Sequence, residues 1–327
     1  MNILILSAGT RNKVVQYFKQ ELQGRGRVIA TDCSNLGPAV YEADDFYLVP
    51  RISAPDYLDV ILEICRKEKI DGMFSLIDPE LSLLARERER FLAVGTTPII
   101  SGYELVEACF DKFKMYEMLG RMGIPTARCF LTIQEFEEAR QRGEIDYPVF
   151  VKPVKGSASL HINQVESREE LEVLFERHED LMIQEFMDGQ EFGADVYVDM
   201  HTGQCTDIFV KKKIRMRAGE TDKSVSFRDP VLFAMIQEFV ENCGFCGMID
   251  IDIFRIGETY YISEVNPRFG GGYPHAYACG VNLPARVIRN LAGESGDPAI
   301  GAYEEGICMM KYNEIMIRDL KNTEMII

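Results

Sequence analysis

The 327-residue sequence lacks an excess of basic residues, because 36 Lys and Arg oppose 52 Asp and Glu and give a formal net charge of −16. A protein that binds a nucleic-acid backbone needs a basic surface to replace the counterions of the phosphates. The charge balance therefore argues against nucleic acid as the main ligand, and we expect small-molecule substrates.

Long apolar runs are also missing. No segment reaches the length of a membrane span, and the first residues, "MNILILSAG", have neither a basic start nor a long apolar core. The nine cysteines lack paired metal-ligand spacing, since Cys243 and Cys246 form a single C-x-x-C without a second pair. Scattered cysteines of this kind fit a reducing compartment better than a disulfide framework. We expect a cytoplasmic protein that binds no membrane.

The sequence does contain a clear change of pattern along the chain. Up to about residue 110, short apolar runs alternate with helical segments, which predicts parallel β-α units in a doubly wound α/β domain. Residues 111–188 combine helices with strands near "YPVFVKP", and residues 189–327 contain long alternating strands typical of an antiparallel sheet. We therefore predict three parts, 1–110, 111–188 and 189–327, in a chain of α/β and α+β class.

The first turn of the chain invites a comparison with dinucleotide-binding sites. Gly9 follows the opening strand, and Asp32 ends the next one, where a ribose-binding acid would lie. However, only Gly9 is present where the dinucleotide fingerprint requires three glycines. We favour a structural role for this turn, and we predict that it shapes the substrate side of the site and binds no NAD.

Three lysines flank one loop of small residues in the second part. Lys112 opens a predicted helix, Lys152 ends the strand "VFVK", and Lys155 precedes "GSAS". Backbone N–H groups of such a loop, together with ammonium groups, are what nucleotide phosphates require. Each lysine taken alone also fits a solvated surface. In the segment "MIQEFMDGQEF" that follows, Glu185 or Glu191 could accept ribose hydroxyls, unless the segment is simply a strand leading into the third part.

The stretch "EVNPRFGGGYPHAY" carries the strongest site pattern. Glu264 and Asn266 end an apolar strand, and Arg268 follows them at once. Mg²⁺ takes oxygen ligands and commonly uses one or two carboxylates plus substrate phosphates. An arginine beside such ligands suits charge that develops on phosphoryl and acyl oxygens. The alternative, a hairpin followed by a flexible turn, explains the glycines but not the Glu-x-Asn.

Taken in order, four segments resemble the ATP-grasp superfamily, and most closely its carbamoyl-phosphate-synthase-like branch. They are "DKFKMYEMLGRMGIPTA", "VKPVKGSAS", "QEFMDGQEFGADVYVD" and "SEVNPRFGGGYPHAYACGVNLP". The resemblance implies an N-terminal α/β domain followed by a two-lobed ATP-grasp fold, with ATP and Mg²⁺, or Mn²⁺ in its place, as cofactors.

The same resemblance assigns roles to individual residues. It implies phosphate contacts from Lys112 and Lys152, an adenine site along Gln184, Glu185, Phe186 and Met187, a ribose contact from Glu191, metal ligation by Asp252, Glu264 and Asn266, and a contact between Arg268 and the transferred phosphoryl group. One segment departs from the family pattern, because "GSASLHI" carries Ala158 and His161 where glycines are usual. The backbone of Gly156, Ser157 and Ser159 could still cover the phosphates, with Lys155 beside them.

The segment "FVKKKIRMRAGETDKS" places four cations at alternate positions. Alternation along a strand would put Lys211, Lys213, Arg215 and Arg217 on one face. In enzymes of the family that the chain resembles, a cation from this region reaches the γ-phosphate or an anionic substrate. We name Lys213, Arg215 and Arg217 collectively as candidates. A solvated sheet face is the alternative.

Strand alternation also predicts the geometry of the metal site. If Asp250, Asp252, Glu264 and Asn266 share one side of a hairpin, opposed residues must have numbers of equal parity, which requires a connection of odd length. We predict Gly257, Glu258 and Thr259 as that connection, with Asp252 opposite Glu264 and Asp250 opposite Asn266. Two opposed carboxylates repel each other, and a cation between them would remove the conflict.

The function that we predict is an ATP-dependent ligase that activates a carboxylate as an acyl phosphate for attack by an amine, with release of ADP and phosphate. The alternatives are a carbamoyl-phosphate-synthase-like kinase acting on bicarbonate or carbamate, and a nucleotide-binding regulator without turnover. A homodimer is compatible with the sequence.

Overall fold

The computed structural model describes residues 1–156 and 163–319. Within them, no helix combines the length and the apolar character needed to cross a lipid bilayer. The strands form three sheets, of five, four and six strands.

The first sheet is parallel, with the strand order β3-β2-β1-β4-β5. Its strands are β1 (Asn2–Leu6), β2 (Arg27–Asp32), β3 (Asp45–Leu48), β4 (Gly72–Ser75) and β5 (Thr97–Pro98). The helices of this part are α1 (Asn12–Leu22), α2 (Tyr57–Glu68), α3 (Asp78–Arg86), α4 (Arg88–Leu92) and α5 (Tyr103–Phe110), and a 3₁₀ turn covers Pro38–Glu42. Alternate residues of β1 face different cores: Ile3 and Ile5 pack with α1, and Leu4 and Leu6 with α2 and α3. The predicted doubly wound α/β domain is confirmed.

The second sheet has four antiparallel strands in the order β6-β9-β7-β8. They are β6 (Cys129–Phe130), β7 (Val149–Pro153), β8 (Asn163–Val165) and β9 (Leu181–Glu185). The helices around it are α6 (Lys112–Arg121), α7 (Ile133–Gln141) and α8 (Arg168–Arg177). Helix α7 begins with a capping box, in which the Thr132 side chain accepts from the Glu135 N–H and the Glu135 carboxylate accepts from the Thr132 N–H.

The third sheet is antiparallel, with the order β14-β13-β10-β11-β12-β15. Its strands are β10 (Gln190–Val198), β11 (Cys205–Arg217), β12 (Glu220–Phe227), β13 (Gly247–Ile256), β14 (Thr259–Asn266) and β15 (Cys308–Met310), and the helices are α9 (Pro230–Cys243), α10 (Tyr273–Ala278) and α11 (Leu283–Leu291). Helix α9 begins at Pro230 after an Asp229 cap and is followed by Gly244, whose φ of 72° suits the left-handed residue that terminates a helix. The two antiparallel sheets confirm the predicted two-lobed fold.

The N-terminal domain and the third part of the chain share an apolar core, whereas the second sheet has its own. One buried cluster combines Ile5 of β1 and Phe18 of α1 in the N-terminal domain with Phe209 of β11 and Tyr273 of α10 in the third part of the chain. The second sheet has a separate cluster around Phe136 and Val151. Helix α6, although it precedes the second sheet in sequence, buries Met115 and Leu119 against the third. The predicted segment 111–188 therefore includes a helix that packs against the third sheet, which belongs to the predicted segment 189–327.

Candidate active site

The hairpin of β13 and β14 places the predicted acids opposite each other. Asp252 pairs with Glu264, and Asp250 pairs with Asn266, as strand parity required. The predicted odd connection is wrong, because Ile256 pairs directly with Thr259 and leaves a two-residue turn at Gly257 and Glu258. A bulge between the Asp252–Glu264 and Ile253–Ile262 pairs supplies the missing residue, Ser263, and restores the parity.

The opposed carboxylates make this end of the hairpin electrostatically strained. Burial, and then the charge of Asp252, raise the pKa of Glu264, while Lys112 and Lys152 act to lower it. Burial and Asp252 likewise raise the pKa of Asp250 to about 7. A positive charge placed between these groups would stabilise their ionised forms.

The donor set at this position fits a magnesium ion. Asp252, Glu264 and Asn266 line one cleft of about 570 Å³. Across the described ranges, no group of three or more His, Cys, Asp or Glu side chains is arranged to hold a metal by itself. Two carboxylates and an amide are an incomplete shell for Mg²⁺, which phosphate oxygens would complete.

Lysines of the second sheet and α6 approach the same cleft. Lys152 is buried at the end of β7 and lines the cleft, and burial lowers its pKa more than Glu264 raises it. Lys112, the first residue of α6 after its Asp111 cap, donates a hydrogen bond to the Gly156 carbonyl. Lys155 forms an isolated antiparallel backbone bridge with Asp111, and it lines a neighbouring cavity instead of the cleft. Ser157 and Ser159 lie outside the described residues.

The predicted adenine segment forms one wall of the cleft. Gln184, Glu185 and Met187 line it. The Phe186 ring packs on Phe150, another lining residue, with centroids 5.2 Å apart. The Glu185 carboxylate accepts from the Arg128 N–H at 3.0 Å, so this predicted ribose ligand already has a backbone partner.

Lys213 joins the predicted ribose and metal ligands. Its Nζ atom lies 2.7 Å from both Glu191 Oε1 and Asp252 Oδ1, and its side chain is 4% exposed. Burial acts to lower the pKa of Lys213, but the two carboxylates outweigh it and raise the pKa. Lys213 therefore places its positive charge against Glu191 and Asp252, two residues that line the cleft.

The predicted basic face of β11 is divided in two. Lys211 and Lys213 are buried, and Lys211 pairs with Asp195. Register shifts follow Lys213 and Arg215, and beyond them Arg217 is half-exposed and pairs with Asp222 at 3.0 Å. The alternative of one solvated face is wrong for the two lysines, and Arg217 does not line the cleft, although Met216 and Ala218 do.

Arg268 is held by acids from two parts of the chain. Its Nη2 atom donates to Asp78 Oδ2 at 2.9 Å, its Nε atom lies 2.9 Å from Asp78 Oδ1, and Nη1 lies 3.7 Å from Asp250 Oδ2. Arg11 also lines the cleft, where it pairs with Glu220. Sequence reasoning missed Arg11, Asp78 and Glu220. For Arg11 and Asp78 a signal existed, because both follow the carboxyl ends of parallel strands, where open α/β sheets bind ligands.

A parallel α/β domain, two antiparallel lobes and a cleft lined by cations and paired carboxylates define a nucleotide- and metal-dependent enzyme. Residues 109–272 match the family model described as the ATP-grasp domain, and residues 3–99 match the model described as the PylC-like N-terminal domain. The chain belongs to the ATP-grasp family. The family match confirms the resemblance drawn from the sequence, together with the ATP-dependent ligase class and the ATP and Mg²⁺ cofactors that the resemblance implied.

Curated relatives are distant and mostly longer. A carbamoyl-phosphate synthase of Methanobrevibacter smithii is 24% identical over 268 residues, which cover 77% of this chain and 70% of that one. An arginine-specific carbamoyl phosphate synthase large chain of Geobacillus stearothermophilus is also 24% identical, over 82% of this chain but 27% of its own length.

Solved structures share the fold. The biotin carboxylase domain of Hydrogenobacter thermophilus 2-oxoglutarate carboxylase has a TM-score of 0.75 at 18% identity, covering 94% of this chain and 73% of that one. An ADP complex of N5-carboxyaminoimidazole synthetase from Staphylococcus aureus has a TM-score of 0.71 at 16% identity, covering 91% and 78%. An L-amino acid ligase from Bacillus licheniformis has a TM-score of 0.66 at 19% identity, covering 89% and 74%.

Proposed function

We propose that this chain uses ATP to activate a small carboxylate as an acyl phosphate and transfers the acyl group to an amine. The observation that carries the proposal is the pairing of Asp252 with Glu264 across the hairpin, in one cleft with Asn266, Lys152 and Arg268. The names of two structural neighbours, a synthetase and an amino acid ligase, agree with it.

We assign each residue a role from its position in the cleft. Lys152 and Lys112 bind the phosphates, and Gln184 to Met187 with Glu191 surround the nucleoside. Asp252, Glu264 and Asn266 would hold Mg²⁺, which would supply positive charge to neutralise the triphosphate. A substrate carboxylate oxygen attacks the γ-phosphorus and displaces ADP, and the amine nitrogen then attacks the acyl carbon, releases phosphate and loses its proton to solvent. Arg268 and Lys213 stabilise the charge that develops on the transferred group.

ADP release measured with a panel of carboxylates and amines tests the proposal. We expect release that requires both substrates. Release with bicarbonate alone would favour the carbamoyl-phosphate-synthase-like kinase that the names of the curated relatives suggest. ATP binding with no release under any condition would favour a regulator.

The cellular setting and assembly belong to the same proposal. We propose a cytoplasmic enzyme, supported by nine free cysteine thiols that a reducing compartment would preserve. A homodimer is suggested by the dimer named for the Hydrogenobacter neighbour. A sedimentation experiment that finds only monomers would refute the dimer without affecting the reaction.

A further inference from the structure

The cations of the cleft differ in how fully protein carboxylates balance them. Arg268 faces both Asp78 and Asp250, and Lys213 contacts both Glu191 and Asp252. Arg11 shares its ion-pair carboxylate with a second cation. Its Nη1 atom lies 2.5 Å from Glu220 Oε1, and Lys311 Nζ lies 2.7 Å from Glu220 Oε2. Glu220 thus serves two cations, whereas Asp78 and Asp250, whose charges also act on Arg11, are engaged by Arg268.

Arg11 is placed by the turn between β1 and α1, at the end of the cleft formed with the N-terminal domain. Leu76, Ile77 and Gly219 line the same cleft. The pair rests against the glycine-rich turn, since a Cβ atom on Gly271 would lie 2.6 Å from Arg11 Nη1 and 2.7 Å from the Glu220 carboxyl carbon. The Arg11 and Glu220 side chains remain 22% and 35% exposed, so a ligand can reach them.

We infer that Arg11 binds an anionic substituent of the carboxylate substrate, a second carboxylate or a phosphate, which takes the place of the Glu220 carboxylate. This inference rests on the proposed function and names its substrate class: a small molecule with an anionic group besides the carboxylate that is activated. Displacing Glu220 from Arg11 does not leave its carboxylate unpaired, because Glu220 keeps Lys311 as its ion-pair partner. A guanidinium suits such a group because its planar fork matches carboxylate and phosphate oxygens.

Ligand-induced thermal shifts of the full chain, measured without turnover, test the inference directly. The probes are succinate and glutamate as double carboxylates, 3-phosphoglycerate as a phosphorylated carboxylate, and acetate and butyrate as single carboxylates. We expect a doubly anionic probe to stabilise the chain more than the single carboxylates, and Arg11→Ala to abolish that difference. A larger shift with succinate or glutamate than with 3-phosphoglycerate assigns a carboxylate, and the reverse assigns a phosphate.

Variants of the neighbours separate recognition from a merely structural ion pair. Removing a charge-assisted contact should weaken binding of the doubly anionic probe by about 10- to 100-fold in Arg11→Ala. Glu220→Gln should strengthen binding because it removes the competing carboxylate, whereas Lys311→Met should weaken it because Glu220 then serves Arg11 alone. Arg27→Ala, which removes an arginine paired with Glu68 and Asp45 on the far surface, is the matched control and should change nothing.

The outcomes are distinct from those of the proposed function. Equal shifts with single and double anions, or shifts that survive Arg11→Ala, would overturn the inference even if ADP release is found. Conversely, Arg11-dependent binding of a double anion in a chain that releases no ADP would support this site and refute the ligase. In an active enzyme, Arg11→Ala should raise the KM for the carboxylate by about 10- to 100-fold, as for binding, and leave the KM for ATP unchanged.

Discussion

Lys152 is a buried cation that has no ion-pair partner among the described residues. Across the described residues, no carboxylate lies within ion-pair distance of its Nζ atom, although the side chain is nearly fully buried and faces the cleft. Burial of this kind lowers its pKa and disfavours the charged form. A nucleotide phosphate would restore the balance, so the residue is better suited to ligand binding than to stabilising the fold.

We therefore expect Lys152→Ala to weaken ATP binding by roughly 1.5–3 kcal/mol, the value of a charge-assisted contact. Calorimetric titration with ATP measures the loss, and thermal unfolding of the variant should show no decrease in Tm. Lys114→Ala, on the exposed side of α6, is the control. Unchanged ATP affinity in Lys152→Ala would remove Lys152 from the site.

The Glu264 carboxylate is buried and repelled by Asp252, and a metal ion would offset both effects. Because Asp252 and burial both raise its pKa, Glu264→Gln relieves repulsion and creates no cavity. We expect this variant to lose magnesium-dependent ADP release while its Tm stays equal or rises. Glu258→Gln, in the exposed turn of the same hairpin, should retain activity. Undiminished ADP release by Glu264→Gln would contradict the assignment of the metal site.

Glu80 is a buried carboxyl group outside the cleft. It accepts hydrogen bonds from Tyr57 and Ser75, and burial raises its pKa to about 8. Because the folded chain holds this proton more tightly than the unfolded chain, the stabilisation is complete below about pH 4.5 and declines as the pH rises to about 8. The decline is about 1.4 kcal/mol per pH unit for one such group.

Replacing Glu80 with Gln keeps the shape and removes the ionisation. The Tm of Glu80→Gln relative to the unsubstituted chain should rise steadily between pH 5 and pH 8, as measured by thermal unfolding at each pH. Glu89→Gln on α4, where the side chain is exposed, is the control. A pH-independent difference for Glu80→Gln would mean that its carboxyl ionises normally.

At the scale of single elements, alternation predicted which residues share a face only where strands are regular. It paired Asp252 with Glu264 correctly, although the turn was two residues long, because the Ser263 bulge compensated. In β11 the register shifts after Lys213 and Arg215 broke the alternation and separated Arg217 from the buried lysines. Bulges depend on contacts between strands, so sequence periodicity alone does not reveal them.

The turn after β1 is closed by hydrogen bonds to the Asp32 carboxylate. The Gly9 N–H donates to Asp32 Oδ2 at 2.8 Å, and the Ser34 N–H donates to Asp32 Oδ1 at 3.0 Å. Both oxygens of the acid that would bind a dinucleotide ribose are therefore engaged by the loops that surround it. We expect no binding of NAD or NADH in calorimetry or NADH fluorescence, with ATP as the positive control. A measurable NAD affinity would reverse this interpretation of the turn.

At the scale of the whole molecule, the pattern of apolar runs predicted the order of the parts but not how they pack. Arg11 and Asp78 reach a cleft whose other residues lie far along the chain, and Ile5 shares a core with Phe209 and Tyr273. Contacts at such separations follow from the assembled fold, and no local pattern in one sequence encodes them.

The shared core predicts how the chain opens. Amides of β1 and β11 should exchange with solvent through the same high-energy unfolding, because one apolar cluster spans both elements. Amides of β7 and β9, which enclose the separate cluster around Phe136, should exchange through a lower-energy opening. Native-state hydrogen exchange resolves these groups. Faster exchange in β1 than in β7 would show that the N-terminal domain opens first.

The separate core of the second sheet also bears on how such enzymes can diversify. That sheet contributes Lys152 and Gln184 to the cleft, whereas Arg11, Arg268 and Glu220 come from the two parts that share a core. Recombination that exchanges the second sheet between relatives should alter nucleotide affinity and leave the choice of substrate intact. Preference for the carboxylate would instead be inherited with the N-terminal domain and the third sheet as one unit.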